Sequence, residues 1–247
     1  MPVQKKSCAK RRINGSKSGT FTSILAPNAP FSYVEAYKTL RTNLDFAASS
    51  SKAKCILVTS ALPDESKSTV LINIALSMAD SGKSVALVEC DLRKPTLRRY
   101  LRLNSSKLGL SSVLSGAAVL EECIQVIPEK TIAVIAAGVI PPNPSELLNQ
   151  ERMCAVIHEL KEQYDYVILD APPISVVTDA AVVGRMADGA LLVVRSRYAP
   201  TRLIRTALGQ LQAMDIRVLG AVVTRLDTKK SAWRSGYHYG DYRYGYN

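Results

Sequence analysis

Short, nearly uninterrupted apolar runs recur along the chain, and segments with helical periodicity separate them. The runs are Cys55–Ser60, Ser84–Cys90, Ile132–Ala137, Tyr166–Asp170, Ala190–Arg195 and Val218–Thr224. Strands without polar alternation are buried on both faces, which is typical of parallel sheets covered by helices. We therefore predict an α/β fold with a parallel sheet covered by helices on both faces. Such folds bind ligands at the carboxyl ends of their strands.

The segments between these runs favour helices. Apolar side chains recur at spacings of three and four in the first of them, which gives it one apolar face. The predicted helices are Phe31–Phe46, Ser68–Ala79, Ser145–Gln163, Thr178–Met186 and Thr201–Met214. The third is the longest of the five.

The formal net charge of +11 over 247 residues is concentrated at the two ends. Met1–Thr20 holds six basic residues and no acid, and the last eleven residues hold five of the eleven tyrosines. Few large apolar residues accompany either cluster, so neither end can build a core. We predict a flexible basic arm over residues 1–30, one domain over 31–228 and a disordered tyrosine-rich tail over 229–247.

Composition excludes several classes of protein. A chain with 47% hydrophobic and 21% charged residues is not disordered throughout. No apolar run reaches the 18 residues that a membrane span needs. Five cysteines at scattered positions, without a Cys-x-x-Cys pair, argue against a disulfide framework or a zinc site. These features predict a protein of the reducing cytoplasm.

A phosphate-binding motif follows the first predicted strand. The segment Thr59–Thr69 fits the P-loop frame G-x-x-x-x-G-K-[ST], with Ala61 and Ser66 at the glycine positions before Lys67 and Ser68. Such a loop needs backbone amides around a phosphate, a lysine that reaches it and a hydroxyl on Mg²⁺. The alternative is a serine-rich helix start with an exposed lysine.

Acidic residues follow two further strands on the same predicted edge of the sheet. Glu89, Asp91 and Arg93 cluster at the end of the second strand. Asp170 ends the strand Tyr166–Asp170, where the carboxylate that holds Mg²⁺ and its water lies in nucleotide-binding proteins. A single acid at a strand end is more often a cap or turn residue, but three such features on one edge favour a nucleotide site.

These motifs resemble those of the bacterial tyrosine kinases of capsule and exopolysaccharide assembly (BY-kinases), P-loop proteins related to the Min/ParA ATPases. The resemblance covers about Phe31–Asn247. Its motifs are the assembly helix Glu35–Asn43, the Walker A loop Thr59–Thr69, the Walker A′ segment Glu89–Pro95, the segments Gly109–Gly116 and Ala137–Leu148, the Walker B segment Ile168–Pro173, Thr178–Ala180 and the tail Tyr237–Tyr246.

The resemblance implies ATP and Mg²⁺ as cofactors and assigns roles to individual residues. The loop residues Ala61, Pro63, Asp64, Glu65, Ser66, Lys67, Ser68 and Thr69 would bind the nucleotide. The catalytic group would comprise Asp91, Glu89, Lys67, Asp170 and Arg93, with Ser68, Asp170 and Asp91 on the metal and Asp91 activating the attacking hydroxyl. Glu35, Lys38 and Arg41 would mediate ring assembly, and Tyr237, Tyr239, Tyr242, Tyr244 and Tyr246 would be autophosphorylated.

Four positions depart from the pattern of the family. Lys38 replaces an arginine of the assembly helix, Ser66 the Walker A glycine, and Glu89 an aspartate. Thr224 stands where relatives usually carry an asparagine near the adenine. Because three departures fall in the site, a catalytically impaired assembly module of the same polysaccharide complex remains an alternative. A partitioning ATPase of the Min/ParA type is another, although the loop Ala61–Ser66 lacks the extra lysine of that group.

Both ends of the chain admit other interpretations. The tail could be a low-complexity segment or a stacking surface for single-stranded nucleic acid, and the arm a solvated tail or a contact with anionic lipid. The resemblance instead implies a membrane-spanning activator or co-polymerase, other copies of this chain in a ring, and additional phosphorylated proteins as partners. It implies no specific nucleic acid as a partner. It also implies a cytoplasmic location at the inner face of the cell membrane, where that membrane-spanning partner would hold the protein.

Overall fold

The computed structural model describes residues 23–49 and 53–226. Its strands are β1 (Cys55–Ser60), β2 (Val85–Glu89), β3 (Ile124–Val126), β4 (Ile132–Ile135), β5 (Tyr166–Asp170), β6 (Gly189–Arg195) and β7 (Val218–Thr224). They form one sheet in the order β3-β4-β2-β5-β1-β6-β7. All pairs are parallel except β3 with β4, which is antiparallel at one edge. The predicted parallel sheet is thus confirmed, with one antiparallel edge strand added.

Helices cover both faces of this sheet. They are α1 (Phe31–Ser49), α2 (Lys67–Asp80), α3 (Leu97–Tyr100), α4 (Leu110–Leu114), α5 (Leu120–Cys123), α6 (Pro144–Leu148), α7 (Glu151–Gln163), α8 (Asp179–Gly184) and α9 (Thr201–Ala213). Successive residues of β1 point to opposite faces. Ile56 therefore packs in one apolar cluster with Ile74 of α2, whereas Leu57 packs in the other with Leu160 of α7.

The single helix predicted over Ser145–Gln163 is wrong. The chain forms two helices there, because Gln150 has the extended conformation (φ −77°, ψ 151°) and interrupts the helical backbone between α6 and α7. The first of the two begins at Pro144, one residue before the predicted start. Among the described residues the longest helix is α1, with 19 residues.

The predicted arm and tail lie mostly outside the described residues. Only residues 23–30 of the arm are described, and they pack on the domain: Ile24 is buried and its N–H donates to Asn73 Oδ1 at 3.0 Å. In the described ranges, no helix has the length and apolar character needed to cross a membrane.

Candidate functional site

A cleft of about 460 Å³ opens at the carboxyl ends of β1, β2 and β5. It is lined by the loop Pro63–Thr69, by Asp91, Arg93, Lys94, Thr96, Arg99 and Tyr100 after β2, by Pro172, Pro173, Val176 and Val177 after β5, and by Arg225 after β7. The fold thus brings the three predicted strand-end motifs to one place. Of the eight loop residues predicted to bind nucleotide, only Ala61 does not line the cleft, because it is buried beneath the loop.

The loop between β1 and α2 contains two residues in the left-handed region. Asp64 has φ 60°, and Ser66, immediately before α2, has φ 70° and ψ 28°. Only glycine adopts this conformation freely, and a residue with a Cβ atom pays about 1–2 kcal/mol. The structure therefore explains why a P-loop has glycine at the position of Ser66. Ser66 adopts this conformation although it carries a Cβ atom.

Buried Glu65 holds this strained loop from within. Its carboxylate accepts the N–H of Leu62 at 2.8 Å and the N–H of Arg195, at the end of β6, at 3.1 Å. Its carbonyl oxygen accepts the hydroxyl of Thr224, at the end of β7, at 3.1 Å. Charge-assisted bonds of this kind are stronger than bonds between neutral groups. Glu65 thus ties the loop to two strands, and one of these bonds comes from Thr224, which stands where relatives usually carry an asparagine.

Ser68, which lines the cleft, and Asp170, which is buried directly behind it, form a pair that suits a metal ion. The Ser68 hydroxyl donates to Asp170 Oδ2 at 2.9 Å, and Asp170 Oδ1 is buried without a hydrogen-bond partner among the described residues. Burial raises the pKa of Asp170 to about 7, against the opposing effect of the Lys67 charge. A cation beside this carboxylate would satisfy the orphaned oxygen and favour ionisation.

This donor set fits Mg²⁺ rather than a metal enclosed by protein. No group of three or more His, Cys, Asp or Glu side chains within residues 23–49 and 53–226 could hold an ion. Mg²⁺ is usually held by one or two carboxylates, by phosphate oxygens and by water. Ser68 and Asp170, with Asp91 in the same cleft, would supply the protein ligands.

Asp91 lies on the cleft beside Asp170. Its N–H donates to the Asp170 carbonyl oxygen at 2.9 Å, and its Oδ1 accepts the N–H of Lys94 at 3.0 Å. The backbone bond fixes the chain after β2 against the end of β5. This position suits a carboxylate that orients an acceptor hydroxyl.

A role for Thr96 in the cleft was not predicted from the sequence. Its hydroxyl donates to Ser68 Oγ at 2.9 Å and so joins the segment after β2 to the phosphate loop. The available signal was a threonine directly before the short helix α3, a position that favours Ser, Thr, Asp or Asn.

The structure places Glu89 away from the cleft, although the resemblance assigned it a catalytic role. Its side chain is buried and accepts the backbone N–H groups of Thr96, Leu97 (2.7 Å) and Ala137 (3.0 Å). Burial raises its pKa, and these three bonds oppose that rise. The carboxylate therefore organises the segment that carries Asp91 and Thr96. In this conformation it is a positioning group rather than a contact for substrate.

Arg93 reaches the cleft from a fixed position. Its Nε donates to Asp179 Oδ2 at 2.7 Å, and a terminal nitrogen donates to Asp179 Oδ1 and to the Ser145 hydroxyl, each at 3.1 Å. Asp179 is fully buried at the start of α8, and Arg93 and Ser145 hold its pKa below the ordinary value despite that burial. The sequence indicated Thr178–Ala180 as a motif but not this use of Asp179.

The predicted assembly residues lie on α1, apart from the cleft lining. Lys38 Nζ and Glu35 Oε1 form an exposed ion pair at 2.7 Å, and Arg41 donates to the Ser77 carbonyl oxygen of α2 at 2.7 Å. Exposed pairs contribute little to stability, so Glu35 and Lys38 are available to other contacts. The tail tyrosines Tyr237–Tyr246 lie outside the described residues.

The fold and the cleft define a P-loop nucleotide-binding protein, and comparisons with known proteins narrow the class. A family model described as an AAA domain matches residues 54–212. Tyrosine-protein kinase YwqD of Bacillus subtilis is 38% identical over 232 residues, which make up 94% of this chain and 95% of that protein. Tyrosine-protein kinase wzc of Salmonella typhimurium is 32% identical over 98% of this chain, which spans only 33% of that protein.

Comparison with solved structures indicates the same family as these sequence relatives. The kinase domain of Escherichia coli tyrosine kinase ETK superposes with a TM-score of 0.77 at 32% identity, over 94% of this chain and 88% of that one. The septum site-determining protein MinD of Pyrococcus horikoshii, complexed with Mg-ADP, has a TM-score of 0.60 at 22% identity over 69% of each chain, and shares the fold. This chain belongs to the bacterial tyrosine kinase (BY-kinase) family of P-loop proteins.

Proposed function

We propose that this protein is an ATP-dependent tyrosine autokinase that phosphorylates the tail tyrosines Tyr237–Tyr246 of another copy in a ring. The observation that carries the proposal is the carboxylate of Asp170, whose Oδ1 is buried without a hydrogen-bond partner among the described residues. Its Oδ2 accepts the hydroxyl of Ser68, which lines the same cleft as Lys67 and Asp91. The cycle of tail phosphorylation would regulate polymerisation and export of a capsule or exopolysaccharide.

Each group in the cleft has a physical task in this reaction. Lys67, the loop amides and the N-terminus of α2 bind the phosphates of ATP. Ser68 and Asp170 would hold Mg²⁺, which when bound would supply positive charge beside the transferred phosphoryl group. The tyrosine oxygen attacks the γ-phosphorus as the bond to the bridging oxygen of ADP breaks. Asp91 orients the tyrosine hydroxyl and receives its proton.

The relatives support a partner at the membrane. The part of wzc that matches this chain is one third of a longer polypeptide. In that protein the matching part is therefore covalently joined to further protein. We assign an equivalent role here to a membrane-spanning activator or co-polymerase, which would hold the kinase at the inner face of the cell membrane. Other proteins could also serve as phosphate acceptors.

The proposal is tested by incubating the full chain and the cytoplasmic part of its activator with Mg·ATP. Phosphotyrosine is expected on the tail and should disappear in Lys67→Met. A matched control is Lys83→Met, since Lys83 is an exposed lysine before β2, at the opposite edge of the sheet. Absence of phosphotyrosine in the wild type, or its persistence in Lys67→Met, would exclude the proposed activity.

A silent assembly module is the second candidate, and the left-handed conformation of Ser66 favours it. If the strain impairs the phosphate loop, Ser66→Gly should raise ATP affinity about tenfold, equivalent to about 1.4 kcal/mol. Ser66→Ala keeps a Cβ atom and should gain nothing. Isothermal titration with Mg·ATP measures both. Equal affinity in all three proteins, with an active wild type, would show that the loop tolerates serine.

A further inference from the structure

The two sides of the cleft differ in chemistry. The side after β2 carries charged groups, Asp91 and Arg93 among them. The side after β5 consists of Pro172, Pro173, Val176 and Val177, which we term the apolar wall. Val176 is 55% exposed although it is apolar and faces a charged cleft. A ligand with both an apolar body and a polar tip would complement these two sides.

Hydrogen bonds hold the backbone of the apolar wall in place. The Thr59 hydroxyl donates to the Pro172 carbonyl oxygen at 2.8 Å, and the Ile174 N–H donates to the Ser60 carbonyl oxygen at 2.9 Å. The N–H of Val176 donates to the Pro173 carbonyl oxygen at 3.1 Å, which closes a tight turn. These bonds connect the segment that carries Val176 to the end of β1, and they hold Val176 in its exposed position.

The sheet order separates this wall from the other side of the phosphate loop. β5 lies between β1 and β2, so the apolar wall and Asp91 follow neighbouring strands. Glu65 connects the opposite side of the loop to the ends of β6 and β7. The wall and Asp91, the carboxylate that orients the acceptor, therefore follow adjacent strands and face each other across the cleft, away from the ends of β6 and β7.

The geometry points to the apolar wall as the binding site for the aromatic ring of the acceptor tyrosine, with Val176 as a residue that determines specificity for tyrosine. The inference rests on the proposed function and names residues that select its substrate. The occupant is the tail of another copy. Residues 227–247 contain no Val, Ile, Leu, Met or Phe, so tyrosine rings are the main apolar groups that this segment offers.

Ring and wall are chemically matched. Pro172 and Pro173 are buried, so an aromatic ring would pack mainly on the exposed Val176 and the partly exposed Val177, with its hydroxyl in a polar environment. With the ring on the wall, the hydroxyl faces the side of the cleft that carries Asp91. A serine or threonine acceptor has no ring to pack on Val176, so the wall would contribute nothing to its binding.

The test measures peptide binding without requiring phosphate transfer. A fluorescent peptide of residues 235–247 is titrated with the full chain in Mg²⁺ and a non-hydrolysable ATP analogue. Val176→Ser should weaken binding about five- to tenfold. Val126→Ser, at a valine of β3 that is 58% exposed and outside the cleft, should leave it unchanged. Neither substitution should alter the affinity for the analogue.

Substituted peptides separate the ring from the hydroxyl. A peptide with all five tyrosines changed to phenylalanine should bind about as well as the natural one, whereas the alanine version should bind more than about tenfold more weakly. Equal peptide affinity for the two valine variants would overturn the inference. So would a loss of analogue affinity in Val176→Ser, because the wall would then hold the nucleotide. If peptide binds as expected but no phosphate is transferred, the proposed function fails while the ring site stands.

Discussion

At the scale of single residues, the phosphate loop combines strain with an internal support. Asp64 and Ser66 adopt conformations that favour glycine, and buried Glu65 lies between them. Its carboxylate accepts amides from the loop and from the end of β6. We infer that these bonds offset the strain and preserve the phosphate-binding shape that the missing glycine would otherwise supply.

Replacing Glu65 tests this support. Glu65→Ala leaves the amides of Leu62 and Arg195 without their acceptor and should lower the free energy of unfolding by about 2–4 kcal/mol. Glu65→Gln keeps one acceptor oxygen and should lose less. Urea denaturation gives the stabilities, and titration with Mg·ATP should show weaker binding in the same order. Wild-type stability in Glu65→Ala would contradict the role of the carboxylate.

The pKa of Asp170 predicts a pH dependence for the metal-free protein. Because burial raises this pKa from 3.8 to about 7, the folded chain holds the proton more tightly than the unfolded chain. The resulting stabilisation is complete below about pH 4 and is lost as the pH rises through about 7. Relative to Asp170→Asn, the wild type in EDTA should lose about 2–3 kcal/mol between pH 5 and pH 8.

Urea denaturation at each pH measures this difference. The comparison uses the slope with pH rather than absolute stability, because the asparagine amide also changes the hydrogen bonding beside Ser68. Parallel profiles for the two proteins would show that Asp170 titrates normally.

At the scale of elements, the segment that begins α4 lies directly on the end of β4. The N–H groups of Leu110 and Ser111 donate to the carbonyl oxygens of Ala136 and Ala137. A Cβ atom on Gly109 would lie 2.3 Å from the Ala136 carbonyl oxygen. The glycine therefore permits a close backbone approach that fixes α4 against the sheet.

Two glycine substitutions should have opposite effects. Gly109→Ala forces backbone apart and should cost about 2–3 kcal/mol of folding free energy. Gly209→Ala lies in exposed α9, where an added Cβ meets nothing within 4 Å, and should stabilise the chain by about 0.5–1 kcal/mol. Thermal unfolding distinguishes the two. A harmless Gly109→Ala would mean that the segment before α4 does not need this approach.

Sequence patterns predicted most of the strands well because strands of parallel sheets are nearly continuous apolar runs, which here holds even for the partly buried edge strand β7. The predicted bounds of Cys55–Ser60, Tyr166–Asp170 and Val218–Thr224 are those of the structure. The break at Gln150 and the three-residue β3 were missed. No glycine or proline marks the break at Gln150, and β3 is too short to give a strand pattern, although Pro128 lies in the turn that follows it.

The site was predictable to the extent that it lies at strand ends. Lys67 and Asp91 line one cleft, and Asp170 lies behind it in contact with Ser68 and Asp91, because the carboxyl ends of parallel strands meet at one edge of the sheet. The burial of Glu89 was not predictable, because the chain must fold back over it at Thr96 and Leu97, and its third amide partner, Ala137, is 48 residues away. The ion pair of Asp179 with Arg93 was likewise not predictable, because the two residues are 86 positions apart in the sequence.

At the scale of the whole molecule, the proposed function connects the two charge features of the sequence. The chain carries a formal charge of +11, and each phosphotyrosine adds about −1.5 to −2 at neutral pH. Five phosphorylated tail tyrosines would add about −7.5 to −10. We expect phosphorylation to convert a basic protein, able to approach an acidic membrane or partner, into a nearly neutral one with an anionic tail.

Mixing two variants of the full chain tests directly whether phosphate passes from one copy to another. One carries Lys67→Met with an intact tail, and the other has a normal cleft but phenylalanine at all five tail tyrosines. With Mg·ATP and the activator's cytoplasmic part, phosphotyrosine mapping by mass spectrometry should find phosphate on Tyr237–Tyr246 of the Lys67→Met chain. A mixture in which that tail stays unmodified, while the wild type phosphorylates its own, would contradict transfer between copies.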